Sequence, residues 1–144
     1  MKRSEINLAI RWAKDILSAK GIKLPSLAYR SPDEIKARRG EFDAVRRLAL
    51  GWDVTDFGSG NFNKIGAVLF TLRNGLVNDQ SVGVPYCEKY ILMREGQSIP
   101  SHCHLYKTED IINRFGGELS VRLWNVDVRT FCPLDTLEIG RAHV

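Results

Sequence analysis

Between Ser4 and Ala19, apolar residues recur at Ile6, Ala9, Ile10, Ala13, Ile16 and Leu17, with charged and polar residues between them. Spacings of three and four line one side of a 3.6-residue helix, so this segment predicts an amphipathic helix that packs one stripe on a core. Ser4 is the expected N-cap and Gly21 lies just beyond the expected end. Ser31-Pro32-Asp33-Glu34 places a capping side chain before a first-turn proline and two acids, predicting a second, short helix to about Arg39 that Gly40 ends.

From Gly51 the pattern changes. Gly51, Gly58, Gly60, Gly66, Gly75 and Gly83 punctuate short runs rich in Val, Ile, Leu, Phe and Tyr, which read as strands. The clearest are Ala67 to Leu72, Tyr86 to Arg94, Asp110 to Arg114 and Leu119 to Val126. Short strands separated by glycine turns predict a mainly β fold, an antiparallel barrel or sandwich with the helices as an N-terminal appendage on its outside. Internal repeats, linkers and low-complexity segments are absent from the sequence.

A chain of 144 residues holds one domain, and 44% hydrophobic with 26% charged residues places it among folded globular proteins. The apolar stretch after Met1-Lys2-Arg3 is interrupted by Arg11, Lys14 and Asp15, too early for a secretory core or a membrane span. Cys87, Cys103 and Cys132 are odd in number and form no CxxC pair, as suits a reducing compartment, so the expected location is cytoplasmic. A net charge of +4 and a cluster of Lys36, Arg38, Arg39, Arg46 and Arg47 raise a nucleic-acid partner. The cluster lacks interleaved aromatics and reads instead as a solvated face, so neither nucleic acid nor membrane is an expected partner.

The chemistry concentrates in Gly96 to Gly116. On an extended strand His102 and His104 project from one face, where both imidazoles reach one ion, while Cys103 points the other way into the core. Glu109 returns to the same ion as a hard oxygen ligand. Two imidazoles and a carboxylate suit divalent Mn, Fe, Co, Ni or Zn and leave coordination positions for a substrate. A His-x-His pair taken alone is weak evidence for a metal, since a histidine in a strand is more often just hydrogen-bonded. Elsewhere, Gly58-Ser-Gly60-Asn does not complete a phosphate-binding loop. Asp53 and Asp56 suit turns, Trp12, Trp52 and Trp124 suit core or interface, and Glu88 suits a structural ion pair.

The full spacing is more specific. Gly96, five residues, His102, one, His104, four, Glu109, six, Gly116 resembles the first conserved motif of the cupin superfamily, small β-barrels that often bind metal. Gly51-Trp-Asp-Val-Thr-Asp-Phe-Gly58, Thr71-Leu-Arg-Asn-Gly75, Tyr86-Cys-Glu-Lys89 and Lys107-Thr-Glu-Asp-Ile-Ile-Asn-Arg114 resemble the D-lyxose isomerase family of cupins. That resemblance runs from the N-terminal helix to about Val128. It implies a metal-dependent aldose–ketose isomerase that interconverts D-lyxose and D-xylulose, with D-mannose and D-fructose as further substrates, through an enediol-like intermediate. It implies His102, His104 and Glu109 as metal ligands, Mn2+ as the usual ion, and a homodimer for the complete protein. It also implies Lys107 as the catalytic ammonium facing the sugar and Lys89 as a substrate-binding group. The ion's charge disfavours a second positive charge beside it, which would equip Lys107 to shuttle protons. The same ligand trio serves cupin dioxygenases, and a non-catalytic sugar-binding cupin module is the further alternative.

The sequence departs from the family at two places. Phe115 stands where the family has glycine, a substitution that matters if that turn needs positive φ. The second cupin motif, with a further histidine and the strands that close the barrel, is absent. Glu138-Ile-Gly-Arg-Ala-His-Val144 is the in-frame reading of GAGATCGGAAGAGCACACGTC, a string that resembles a common sequencing-library adapter. The expectation is therefore a single cupin-type domain over 1–137, a non-native tail over 138–144, and His143 excluded as a ligand. A chain without its closing strands is expected to have little isomerase activity.

Overall fold

The apolar stripe near the N-terminus forms α1, Arg3–Ala19, whose buried residues Ala9, Ala13 and Leu17 follow one another at intervals of four. The computed structural model describes residues 1–104, 107–127, 129 and 133–142. Ser4 lies inside the first turn of α1 and is not its cap. Lys2 takes that position, because the Glu5 carboxylate accepts from the Lys2 backbone N–H and satisfies a donor that the helix leaves open. Ser31 does cap α2, Pro32–Ala37, in a reciprocal box: its Oγ accepts from the Glu34 N–H and the Glu34 carboxylate accepts from the Ser31 N–H. Helix α2 stops before Arg39, Gly40 falls within a single 3-10 turn, and a five-residue α3 follows at Asp43–Arg47. Three members of the basic cluster are ion-paired here: Arg38 with Glu41, Arg46 with Asp43 and Arg47 with Asp79.

The chain forms two compact units, Met1–Pro100 and Ser101–Val144. The first carries an antiparallel sheet of β1, Gly51–Thr55, β2, Ala67–Leu76, and β3, Asp79–Leu92, in that order. Strand β3 begins at Asp79, well before the expected Tyr86, because β2 and β3 form one long hairpin. The hairpin closes tightly: a Cβ on Gly75 would lie 2.0 Å from the Val84 carbonyl oxygen. The second unit pairs β4, Leu119–Val126, with β5, Pro133–Ala142. Residues 110–114, expected as a strand, belong to neither ladder, and Ile111 and Ile112 are exposed. Both described sheets are antiparallel and open at their edges.

Register decides which residues meet. Trp52, Phe70 and Tyr90 are cross-strand neighbours, as are Val54, Val68 and Leu92, so one face of the sheet carries these six. Phe70, Val68 and Leu92 are buried on it together with the α1 stripe. Trp52 meets Phe70 edge-on at 4.8 Å and donates its Nε1–H to the Ala28 carbonyl at 2.9 Å, which satisfies the indole's one polar group. The opposite face carries Asp53, Leu69 and Ile91 in one row and Thr71 with Lys89 in the next, and Ile91 is half exposed there. After β3 the chain is pinned: Ser98 N–H donates to Lys64 O, and Gly66 N–H to Ser98 O. No described helix is long and apolar enough to cross a membrane.

Candidate metal centre

Residues 101–104 and 107–110 are neither helix nor strand. The alternation of an extended strand is therefore not what brings His102 and His104 together. Their rings meet edge-on with centroids 4.7 Å apart in irregular backbone. Cys103, expected in the core, is exposed, because without a sheet there is no inner face to receive it. Cys87 is likewise an exposed free thiol, and Cys132 and His143 lie outside the described residues.

Glu109 completes the cluster. Its Oε2 lies 2.9 Å from His104 Nε2, and its Oε1 accepts from Lys107 Nζ at 2.9 Å. One donor atom from each of His102, His104 and Glu109 lies within 4.8 Å of the others. An ion about 2.1 Å from each ligand needs donors roughly 3 to 4 Å apart, so modest side-chain rotation closes the set. The hydrogen bond from Lys107 acts most strongly on the Glu109 carboxyl; burial opposes it, and the charge of Lys107 and the contact with His104 add to it, so the carboxyl is held below its ordinary value. Glu109 is thus kept ionised, as a metal ligand must be.

Of the residues singled out in the sequence, His102, His104, Lys107 and Glu109 come together in the second unit. Lys89 sits in the first, on the open face of the sheet opposite Thr71. It lines a cavity of about 400 Å³ with Asp53, Leu69, Thr71, Asn74 and Cys87. Asn74 is fixed by donating to the Leu48 carbonyl at 2.9 Å. Glu88 pairs with Arg73, in keeping with a structural role. The positive φ near Phe115 falls on Gly116, at 109°, and not on Phe115, so the glycine the family has at 115 is not needed for that turn. The direct pairing of Lys107 with Glu109 was missed by sequence reasoning, although a lysine two residues from a carboxylate in a non-helical segment is the signal for it.

Residues 1–136 match the family model described as D-lyxose isomerase. The chain belongs to the D-lyxose isomerase family. It is 43% identical over 128 residues to the D-lyxose/D-mannose isomerase of Escherichia coli O157:H7, covering 88% of this chain and 56% of that protein. It is 41% identical over 130 residues to the D-lyxose/D-mannose isomerase of Serratia proteamaculans, covering 90% of this chain and 57% of that protein. This member of the D-lyxose isomerase family thus spans about half the length of the curated relatives it matches. The His102, His104 and Glu109 cluster falls inside the residues that match the family.

Proposed function

We propose that this chain supplies the metal-bearing part of an aldose–ketose isomerase acting on D-lyxose and D-xylulose, with D-mannose and D-fructose as the six-carbon pair. The observation that carries this reading is the His102, His104 and Glu109 cluster, set within a chain 43% identical to a protein named D-lyxose/D-mannose isomerase. On this reading the fold is cupin-like, a reading supported by the antiparallel sheet described in each unit. Residues 1–137 are the family domain and 138–144 lie outside it; the family match ends at residue 136.

The donor set suits Mn2+, and Co2+, Fe2+, Ni2+ or Zn2+ fit the same two imidazoles and one carboxylate. When bound, such an ion supplies Lewis acidity to the sugar oxygens on the first two carbons. His102 and His104 would hold it through ring nitrogens and Glu109 through Oε2. An ammonium carries three N–H donors. Lys107 spends one on Glu109 and offers the others to a sugar oxygen beside the site, where charge develops as hydrogen moves between the two carbons. Lys89, with Asp53 and Thr71 around the sheet-face cavity, offers donors and acceptors of the kind a polyhydroxylated substrate needs.

The test compares the 144-residue chain with the product of the source gene read past the codon for Leu137, each given MnCl2 and D-lyxose. D-Xylulose is expected from the extended product and is expected to disappear in Glu109→Gln. No D-xylulose from either protein would overturn the reading.

A further inference from the structure

Glu109 has two carboxylate oxygens and two different partners: Oε2 faces His104 Nε2 and Oε1 faces Lys107 Nζ, each at 2.9 Å. In the first contact a proton on His104 Nε2 bridges to the carboxylate; once it leaves for Nδ1 or for solvent, both atoms offer an electron pair, so an arriving ion takes the proton's place. The second joins the other oxygen to a cation already present, so it persists when an ion arrives. From this division we infer that Lys107 determines which metals the cluster takes, by reserving Oε1 and leaving Glu109 a one-oxygen ligand. The inference rests on the metal-site reading above.

The chemistry of selectivity follows from ligand count. With Oε1 reserved, the cluster offers two imidazole nitrogens and one oxygen, a set that suits transition ions, which accept imidazole nitrogen, better than it suits Ca2+. Ca2+ takes six to eight oxygens and favours carboxylates that chelate through both. Lys107 therefore opposes Ca2+ twice, by withholding an oxygen and by adding positive charge, whereas it opposes a nitrogen-preferring ion by charge alone. Side chains of Lys107 and Glu109 are about half exposed, at 52% and 43%, so solvent screens the charge effect and leaves the withheld oxygen as the discriminating one. Lys107 is here a positioning residue, acting through Glu109.

The experiment titrates the 144-residue chain with CoCl2, read by the visible absorption of bound Co2+, and with CaCl2, read by calorimetry. Wild type is compared with Lys107→Met and Lys107→Arg, and circular dichroism checks that each variant keeps its secondary structure. Lys107→Met is expected to raise Ca2+ affinity relative to Co2+ affinity by about tenfold, and Lys107→Arg, which keeps a charged donor on the carboxylate, to bring the ratio back towards wild type. Equal changes for the two ions would overturn the inference, because charge alone would then account for Lys107. Loss of both ions in Lys107→Met with secondary structure intact would overturn it as well, making Lys107 a support for the loop. Failure of wild type to bind Co2+ would instead remove the metal site itself, and this inference with it.

Discussion

His104 Nε2 and Glu109 Oε2 lie 2.9 Å apart although five positions separate them in the chain, so two residues that belong to neither helix nor strand deliver nitrogen and oxygen to one point. His104→Ala is expected to lower Mn2+ affinity by more than about tenfold, measured by calorimetry on the 144-residue chain. Affinity within about twofold of wild type would show that the pair is an ordinary surface contact.

The Glu109 carboxyl is held below its ordinary value of 4.5, chiefly by the hydrogen bond and charge of Lys107. A lowered carboxyl in the folded state contributes stabilisation that is fully present above the ordinary range and is lost as pH falls through the lowered value. The Lys107 contact is therefore intact at neutral pH and breaks only in acid. Carboxyl-carbon NMR of Glu109 is expected to show a midpoint below 4.5 that rises in Lys107→Met. An unchanged midpoint in the variant would mean that Lys107 does not hold the carboxylate in solution.

Phe70 is 1% exposed on the buried face of the sheet, with Trp52 edge-on against it. Phe70→Ala removes a fully buried ring and leaves a cavity, a loss of about 3 to 5 kcal/mol. Urea unfolding followed by circular dichroism should show that decrease in the first unit. A decrease below about 1 kcal/mol would mean that the helix and sheet repack around the gap.

Gly75 and Gly40 make a paired test of the β2–β3 hairpin. A Cβ at Gly75 would meet the Val84 carbonyl oxygen at 2.0 Å, whereas a Cβ at Gly40 meets nothing within 4 Å. Gly75→Ala is expected to lower the thermal midpoint sharply or prevent folding, because backbone must move and ladder pairing with it. Gly40→Ala is expected to change stability by less than about 1 kcal/mol. Similar midpoints for the two variants would show that the hairpin tolerates a side chain at position 75.

Local signals proved legible wherever the physics is local. The Ser31 box at the start of α2 follows from a hydroxyl and a carboxylate three residues apart, and the α1 stripe follows from spacings of three and four. Strand β4 spans Leu119–Val126 as the apolar run predicts. Boundaries were less legible: Glu5 out-competed Ser4 for the start of α1, and hairpin pairing extended β3 back to Asp79. Asp110 to Arg114 has the composition of a strand, but a strand exists only where a neighbouring backbone completes its hydrogen bonds, and none of the described residues does so.

The same distinction runs through the candidate site. Which residues could offer nitrogen and oxygen to an ion was legible in the chain, because ligand chemistry belongs to side-chain type and the His102, His104, Glu109 spacing needs no fold to be read. How they meet emerges only in the folded chain: outside helix and strand, with Cys103 exposed and Lys107 on the second oxygen of Glu109. That outcome depends on backbone direction at each residue, which side-chain identity constrains weakly outside helices and strands. It is why four of the residues singled out in the sequence form one cluster while Lys89 takes its place on the open face of a sheet.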